Sequence, residues 1–469
     1  MRIAFIYINP MGLPYVSHGI ASLSAAVKKQ GHKARLIDFT FGLSTEHALS
    51  GLASFNPGLI CFTGFSNEFN EVARFASLCR KQFKAVIICG GVHATIAPED
   101  VISAGFDGVC IGEGELPLAE LAAMIELGKD FLHVRNFWFR SGEGVIKNRT
   151  GLLVEELDTL PFPDYSIFDM KSYLAARDGQ LDVKTSRGCP FSCSYCINNT
   201  LKCMYSGRYF RLFSVDWSLA NLARLKRMYS IRNFFIVDET FNANAAHMAE
   251  FCRRYPEEVG VPFECELRAD LCTEETFSQL KRAGCFKVSI AIESGDEGLR
   301  MGLLNKRITD RQIIRAFSYA RKFGISTQSF NIVGLPLETR AQIRKTIELN
   351  KAAKPDSIQV TIFTPYKGTA LHKYVVEKGL LKRSDIDVSY YLATYLRNPG
   401  LSEREHIRIR KWFSYCCYED RSRIKACLLL FREYVTPYYL KFGRVIPVWF
   451  KKLIYRYIWH SRMLNFLSK

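Results

Sequence analysis

The sequence predicts an α/β protein in three parts. A doubly wound parallel sheet comes first, a partial (β/α)6 barrel second, and a helical, basic C-terminal region last. Three observations carry this. Short apolar runs alternate with helix-period segments twice, over about residues 1–130 and again from 181 to 395. Between them Leu160-Pro161-Phe162-Pro163-Asp164-Tyr165 reads as an extended, polyproline-like crossover. The charge is also uneven. Of a formal +18, residues 421–469 hold +10, from eleven Lys and Arg against one acid, Glu433. The expected boundaries are 1–135 for the sheet domain, 136–180 for a connector, 181–395 for the barrel and 396–469 for the C-terminal region.

In the first part, strands are expected at Ile3–Ile8, Ala34–Ile37, Leu59–Phe62, Ala85–Cys89 and Gly108–Ile111. Helices are expected at Ile20–Lys29, Glu68–Gln82 and Leu116–Leu127. Strands alternating with helices make βαβ units, whose sheets bind ligands at the carboxyl ends of their strands. The loops there are rich in glycine and small polar residues: Asn9-Pro10 after the first strand and Thr63-Gly64-Phe65-Ser66 after the third. Gly90-Gly91-Val92-His93 follows the fourth, and Gly112-Glu113-Gly114-Glu115 the fifth. Glycine lets a bulky ligand approach the backbone. No G-x-G-x-x-G opens the first helix, so a dinucleotide is disfavoured. His93 is read as a loop histidine bonded locally.

In the second part, Val183–Arg187 is expected to lead into a cysteine loop. Further strands are expected at Asn233–Val237, Phe263–Leu267, Lys287–Ile292, Thr327–Ile332 and Ser357–Ile362. Barrel sites lie at the carboxyl ends of strands. There stand Asp238-Glu239-Thr240-Phe241, Glu266-Leu267-Arg268, Glu293-Ser294-Gly295 and Val333-Gly334-Leu335-Pro336-Leu337-Glu338. A carboxylate suits an ammonium group, and a guanidinium can grip a carboxylate with two hydrogen bonds. Glu338, in the first turn of a helix, is read as a dipole-favoured cap.

The loop before these strands reads Cys189-Pro190-Phe191-Ser192-Cys193-Ser194-Tyr195-Cys196. Thiolates hold iron–sulfur clusters. Three of them leave one iron of a four-iron cubane open to a substrate. Structural zinc wants four closed ligands, usually with a second C-x2-C or a histidine pair. Cys203 and His247 are single residues and form no such pair. The other cysteines, 15 in all with the triad, mostly lie in apolar runs and are read as core.

This C-x3-C-x2-C loop resembles that of the radical S-adenosylmethionine (radical SAM) enzymes. With G-G-x-H-A-T and I-G-E-G-E upstream, residues 1–380 resemble the cobalamin-binding-domain branch of that family. The resemblance implies a Rossmann-like cobalamin domain before a radical SAM barrel. It also implies a [4Fe-4S] cluster on Cys189, Cys193 and Cys196, with SAM at its open iron. Implied SAM contacts are Tyr195, Asp238, Glu239, Arg268, Glu293, Ser294 and Gly334. Implied cobalamin contacts are Asn9, Pro10, Ser66, Gly90, Gly91, Gly112, Glu113 and Gly114. The loop after the first strand lacks the D-x-H-x-x-G that supplies a cobalt ligand, so cobalamin is expected without histidine. The implied activity is reductive cleavage of SAM to a 5′-deoxyadenosyl radical, used for C-methylation of an unactivated carbon. Ring or C–C bond formation on a lipid or tetrapyrrole is the alternative, and a non-catalytic cluster- or cobalamin-carrying protein is the reading from another class. A methylthiotransferase is discounted, because Cys61, Cys79, Cys89 and Cys110 are not clustered. No residue is singled out for substrate chemistry.

At 469 residues the chain suits roughly three domains. No run of 18 apolar residues appears, and the N-terminus reads as a strand and not as a signal peptide. A cytoplasmic protein is expected, with a flavodoxin- or ferredoxin-like electron donor and a small-molecule or lipid substrate. The tail interleaves cations with Tyr434, Tyr438, Tyr439, Phe442, Trp449, Phe450, Tyr455, Tyr457 and Trp459. This suits peripheral contact with the inner membrane face, or a helical cap packed on the barrel. Nucleic acid is the least favoured partner, since no RNA-binding module is visible.

Overall fold

A computed structural model describes residues 1–142, 144–151, 153–382 and 393–442, with the helical backbone alone for 436–442. It forms two compact units. Residues 1–173 with 201–211 make the first, and 174–200 with 212–442 the second.

The first unit is built on β1 (Arg2–Tyr7), β2 (Lys33–Asp38), β3 (Leu59–Thr63), β4 (Val86–Gly90), β5 (Gly108–Cys110), β6 (Phe137–Ser141) and β7 (Gly144–Lys147). The order is β2-β1-β3-β4-β5-β6-β7. The first five pair in parallel, with Ile3 opposite both Ala34 and Leu59. The last two close the sheet as an antiparallel hairpin. That hairpin lies where a connector was expected. Ile3, Ala4, Phe5 and Ile6 are each at most 1% exposed. Burial on both faces is why β1 reads as a continuous apolar run without alternation. Helices α1 (His18–Lys29), α2 (Thr45–Phe55), α3 (Phe69–Gln82), α4 (Val92–Ile96), α5 (Pro98–Ser103) and α6 (Glu115–Glu126) connect the strands. Ser17 and Ser44 cap α1 and α2 by accepting the N–H of Ile20 and of His47. The strand order reverses between β1 and β3, so the crevice of this unit opens at the loops after those two strands.

The chain crosses into the second unit along α7 (Met170–Ala176) and enters β8 (Gln180–Val183). Short strands β9 (Ser186–Arg187) and β10 (Arg211–Leu212) flank the cysteine loop and α8 (Ile197–Met204). Then come α9 (Val215–Met228), β11 (Asn233–Ile236), α10 (Ala245–Glu258), β12 (Phe263–Leu267), α11 (Glu274–Arg282), β13 (Cys285–Glu293), α12 (Asp310–Lys322), β14 (Ser326–Val333), α13 (Arg340–Ala353), β15 (Ser357–Ile362) and α14 (Ala370–Glu377). Six parallel strands in the order β15-β14-β13-β12-β11-β8 form the partial barrel. The first strand ends at Val183, earlier than its expected span. Residues 184–185 are already loop, and Asp238 takes the Thr185 N–H as described below. Capping boxes start α11, α12 and α13: Thr273 with Thr276, Thr309 with Gln312, and Thr339 with Gln342.

The edge strand β15 is covered by α15 (Glu403–Tyr418), which pairs with α16 (Arg423–Phe442). Phe413, Cys417, Tyr418, Ala426 and Leu429 share a core with Val360 and Ile362. Lys425 is 1% exposed; its Nζ donates to the Asp356 carbonyl at 2.6 Å and stands 4.3 Å from the Tyr418 ring centroid. Arg410 pairs with Glu433 at 2.6 Å. The first part of the basic region is therefore a packed cap. Trp449, Phe450, Tyr455, Tyr457 and Trp459, and the side chains of Tyr438, Tyr439 and Phe442, lie outside the described residues.

Candidate active site

The cysteine loop leaves the top of β8 and is held from two sides. Asp238, just past β11, accepts the N–H groups of Thr185 and Ser186 at 2.7 and 3.1 Å, and the Thr185 hydroxyl at 2.5 Å. Both of its oxygens are thus spent on the entry to the loop. On the other side, the segment after β13 grips the loop itself. The Ser194 N–H donates to the Leu304 carbonyl at 3.0 Å, its hydroxyl donates to the Leu303 carbonyl, and Asn305 donates to the Ser192 carbonyl at 2.7 Å.

Cys189, Cys193 and Cys196 are half-buried, whereas Cys61, Cys89 and Cys110 are buried in the first unit's sheet and Cys79 in its helix α3. Donors face the loop sulfurs. Arg268 Nη1 is 3.9 Å from Cys193 Sγ, and Asn198 Nδ2 is 3.6 Å from Cys196 Sγ. Thr240 lies beside Cys189 and donates its hydroxyl to the Glu239 carbonyl at 2.6 Å. Without metal, burial pushes the Cys196 thiol up to about 11. Iron, by binding the thiolates, overrides that cost. Among the described residues no three His, Cys, Asp or Glu side chains close around a single ion.

Two further features surround the loop. Glu293 takes a left-handed backbone, φ 64°, at the end of β13. Its Oε1 accepts the Tyr195 hydroxyl at 2.7 Å and lies 3.3 Å from Lys306 Nζ. Burial, then the Glu293 carboxylate, pushes the Tyr195 phenol well up and keeps it a donor. The Arg268 guanidinium lies 3.7 Å from the Phe191 ring centroid and 2.8 Å from Asp270. Ser294 is fully buried; its hydroxyl accepts the Asp296 N–H and its carbonyl accepts Arg300 at 2.6 Å. Glu239 is exposed, accepts Asn198 at 3.1 Å and stands 3.4 Å from Lys184. Gly334 holds φ 76°, and a Cβ there would meet His406 at 2.9 Å. Glu338 is fully buried and accepts the N–H groups of Gly334 and Leu335 at 2.7 and 3.2 Å. It stands before α13, whose N-cap is Thr339, and braces the preceding turn; the helix cap expected of it is supplied by Thr339 with Gln342 instead.

Sequence reasoning passed over Lys306 and Asn198, and gave Glu266, named at the end of its strand, no role. Lys306 is joined to the site only by tertiary contact, and Asn198, two residues past Cys196, reaches Glu239 in the same way. Glu266 had a signal: alternation along β12 buries Phe263, Cys265 and Leu267 on one face and turns Glu264 and Glu266 to the other. Glu264 is paired with Lys287 at 2.9 Å, whereas Glu266 has no ion pair or hydrogen bond among the described residues. Burial, then Glu239, pushes Glu266 up to about 8. A carboxyl raised this way binds its proton more tightly folded than unfolded. Its contribution to stability is full below the ordinary carboxylate range and is lost as pH rises toward about 8. Glu266→Gln should therefore gain stability over wild type by a few kcal/mol above pH 8, and the gain should vanish near pH 4. Denaturant melts across that range check this; parallel curves for the two proteins would contradict the burial of an uncompensated acid.

In the first unit, the crevice at the β1 and β3 ends carries two exposed aromatics, Tyr15 at 41% and Phe65 at 57%. Such apolar surface suits a large flat ligand such as a corrin. Gly91 and Gly112 each hold φ 94°. Asn9 is tied to the Leu13 carbonyl and Thr40, and Ser66 to His93 Nδ1 at 3.1 Å. His93 is buried and stacks on Phe69 at 4.1 Å. Glu113 receives Arg211 through both oxygens, at 2.7 and 3.0 Å, and the Val154 N–H at 2.8 Å. Tyr205 lies against Gly112. Pro10, Gly90 and Gly114 offer backbone at the same strand ends.

Comparison with known proteins agrees with both units. The radical SAM superfamily profile matches residues 183–349, and that of the B12 binding domain residues 6–122. The chain is a radical SAM enzyme with a B12-binding domain. Among relatives of this radical SAM enzyme, an uncharacterized methyltransferase of Pyrococcus horikoshii is 28% identical over 79% of each chain. An anaerobic magnesium-protoporphyrin IX monomethyl ester cyclase of Rubrivivax gelatinosus is 23% identical, covering 88% of this chain and 77% of its own. The fold matches the radical SAM methyltransferase TsrM of Kitasatospora setae, solved with cobalamin and a [4Fe-4S] cluster. That match has a TM-score of 0.69 and 18% identity, over 80% of this chain and 75% of that one. The cofactors of this radical SAM enzyme are a [4Fe-4S] cluster, SAM and cobalamin. It needs an external electron donor and a small-molecule substrate. No described helix is long and apolar enough to cross a membrane.

Proposed function

We propose that this enzyme C-methylates an unactivated carbon of a small molecule. One observation carries the reading: a B12-binding sheet and a barrel whose cluster loop offers three cysteines occur in one chain. Bound there, the reduced cluster supplies the electron that cleaves SAM, and cobalamin supplies the methyl group. The chain's own residues bind and orient. Glu239, exposed at the end of β11, takes the SAM ammonium, while Asp238 fixes the loop that presents it. Arg268 sets a cation beside Cys193 and the SAM carboxylate. Glu293, fixed by Tyr195 and Lys306, takes the ribose side, and Ser294 holds its turn. Gly334 offers its backbone to the adenine side, while its missing side chain makes room for His406. On the first unit, Pro10, Gly90, Gly91, Gly112 and Gly114 offer backbone to the corrin, and Asn9, Ser66 and Glu113 hold their loops. The electron donor is a flavodoxin- or ferredoxin-like protein. The C-terminal region contacts the inner membrane surface.

The test is anaerobic reconstitution with methyl-labelled SAM, cobalamin and a reductant. Methyl transfer predicts one S-adenosylhomocysteine and one 5′-deoxyadenosine per labelled product. The cyclase relative motivates a second reading, ring formation, which yields 5′-deoxyadenosine without S-adenosylhomocysteine. A protein that yields neither is a carrier.

A further expected result concerns cobalt. His93 is bonded to Ser66, and His18 lies 3.3 Å from the Tyr165 hydroxyl. The paramagnetic resonance spectrum of bound cob(II)alamin should therefore lack splitting from an axial histidine nitrogen. A nitrogen splitting that changes when the protein's histidines carry nitrogen-15 would place a histidine on cobalt, and failure to retain cobalamin would mark the domain as degenerate.

A further inference from the structure

Among the described residues, the C-terminal cap turns one side of α16 inward and leaves the other exposed. Lys425, Ala426, Leu429 and Glu433 face the core. Ile424, Cys427, Leu428, Phe431 and Tyr434 recur at helical spacing on the outside, and Ile424 and Phe431 are each 66% exposed. The only acid of α16, Glu433, is buried against Arg410. Cations frame the stripe. Arg421 and Arg423 are exposed at its N-terminal end, and Lys411 of α15 stands 4.6 Å from the Tyr434 ring centroid. Trp412 of α15 is 38% exposed.

We infer that this face of α16 seats on an anionic bilayer, with the stripe in the headgroup layer and the cations at the phosphates. The inference rests on the membrane reading above and narrows it to named residues. Charge selects the occupant. Residues 421–469 carry eleven Lys and Arg against one acid, so a second copy would bring like charges together. Nucleic acid would satisfy the cations but gives Ile424 and Leu428 nothing to enter. A bilayer with anionic lipid meets both demands.

The test is sedimentation of the full-length holoenzyme with vesicles of phosphatidylcholine, with and without phosphatidylglycerol. Three proteins are compared: wild type, Ile424→Glu/Phe431→Glu, and a chain with Arg444, Lys451, Lys452, Arg456 and Arg462 changed to Gln. Both stripe side chains are mostly exposed, so iron content and circular dichroism should match wild type; Ile424→Ser/Phe431→Ser stands in if they do not. Wild type should bind the anionic vesicles, with a fraction that survives high salt. The stripe variant should lose that fraction and bind roughly tenfold more weakly. Stripe-variant binding equal to wild type, with binding lost in the Gln variant, would overturn the inference and leave the tail as the membrane contact. Absence of wild-type binding to every vesicle would overturn both. A lipid-free wild type that sediments as a dimer while the stripe variant is a monomer would assign the face to a second copy.

Discussion

Cys193→Ala should remove the iron-dependent absorbance and SAM cleavage together. The loop holds three thiols, and two of them face donors: Arg268 at Cys193 and Asn198 at Cys196. A cubane on three protein thiolates has no spare ligand, and losing one leaves two irons open. Cys203 makes the control. It lies in α8, seven residues beyond Cys196, and is exposed. Cys203→Ala should keep full iron content and full 5′-deoxyadenosine formation. Iron per chain and 5′-deoxyadenosine released under dithionite give the two readouts. Wild-type SAM cleavage by Cys193→Ala would sink the cluster assignment. A loss of equal size in Cys203→Ala would move the fourth ligand into the protein and close the iron that SAM requires.

The strand–helix order was legible because both sheets are buried on at least one face, so their strands write themselves as apolar runs. The hairpin Phe137–Ser141 and Gly144–Lys147 was not, since its second strand is largely exposed and carries no apolar run. The cluster loop was legible because cysteine spacing is local chemistry. Asp238 shows the limit of such reading. A carboxylate at a strand end looks like a ligand for an ammonium, but here its oxygens face the backbone of Thr185 and Ser186. Only the pairing of β8 with β11 brings those groups together. Lys306 and Arg300 were hidden for the same reason: their partners, Glu293 and the Ser294 carbonyl, are reached by the fold of the segment after β13. In the tail, composition showed an excess of charge but not its division. Lys425 and Arg410 are buried with partners, while Arg423 is exposed beside an apolar stripe.

That segment after β13 is also where a single methyl group should do most damage. A Cβ at Gly295 would lie 2.3 Å from the Lys345 carbonyl oxygen and 2.4 Å from the Thr346 Cα. Both are backbone atoms of α13, so no side chain can swing aside. The Gly295 N–H also donates to Thr346 Oγ1 at 2.8 Å, which fixes the approach. Overpacking costs about 1–3 kcal/mol when side chains can adjust, and Gly295→Ala should fall at or above the top of that range. The loss should reach the chemistry, because this turn carries Glu293 and Ser294 and runs on to the carbonyls of Leu303 and Leu304 that hold Ser194. Cluster content and SAM affinity should drop along with the denaturant midpoint. Gly302→Ala, in the same segment, has nothing within 4 Å of its added Cβ and should match wild type in all three readings. If Gly295→Ala melts like Gly302→Ala, the strand end does not rest on α13. If it melts early but keeps full SAM affinity per bound cluster, the turn supports the fold without aligning Glu293, and the ribose-side role of that carboxylate falls.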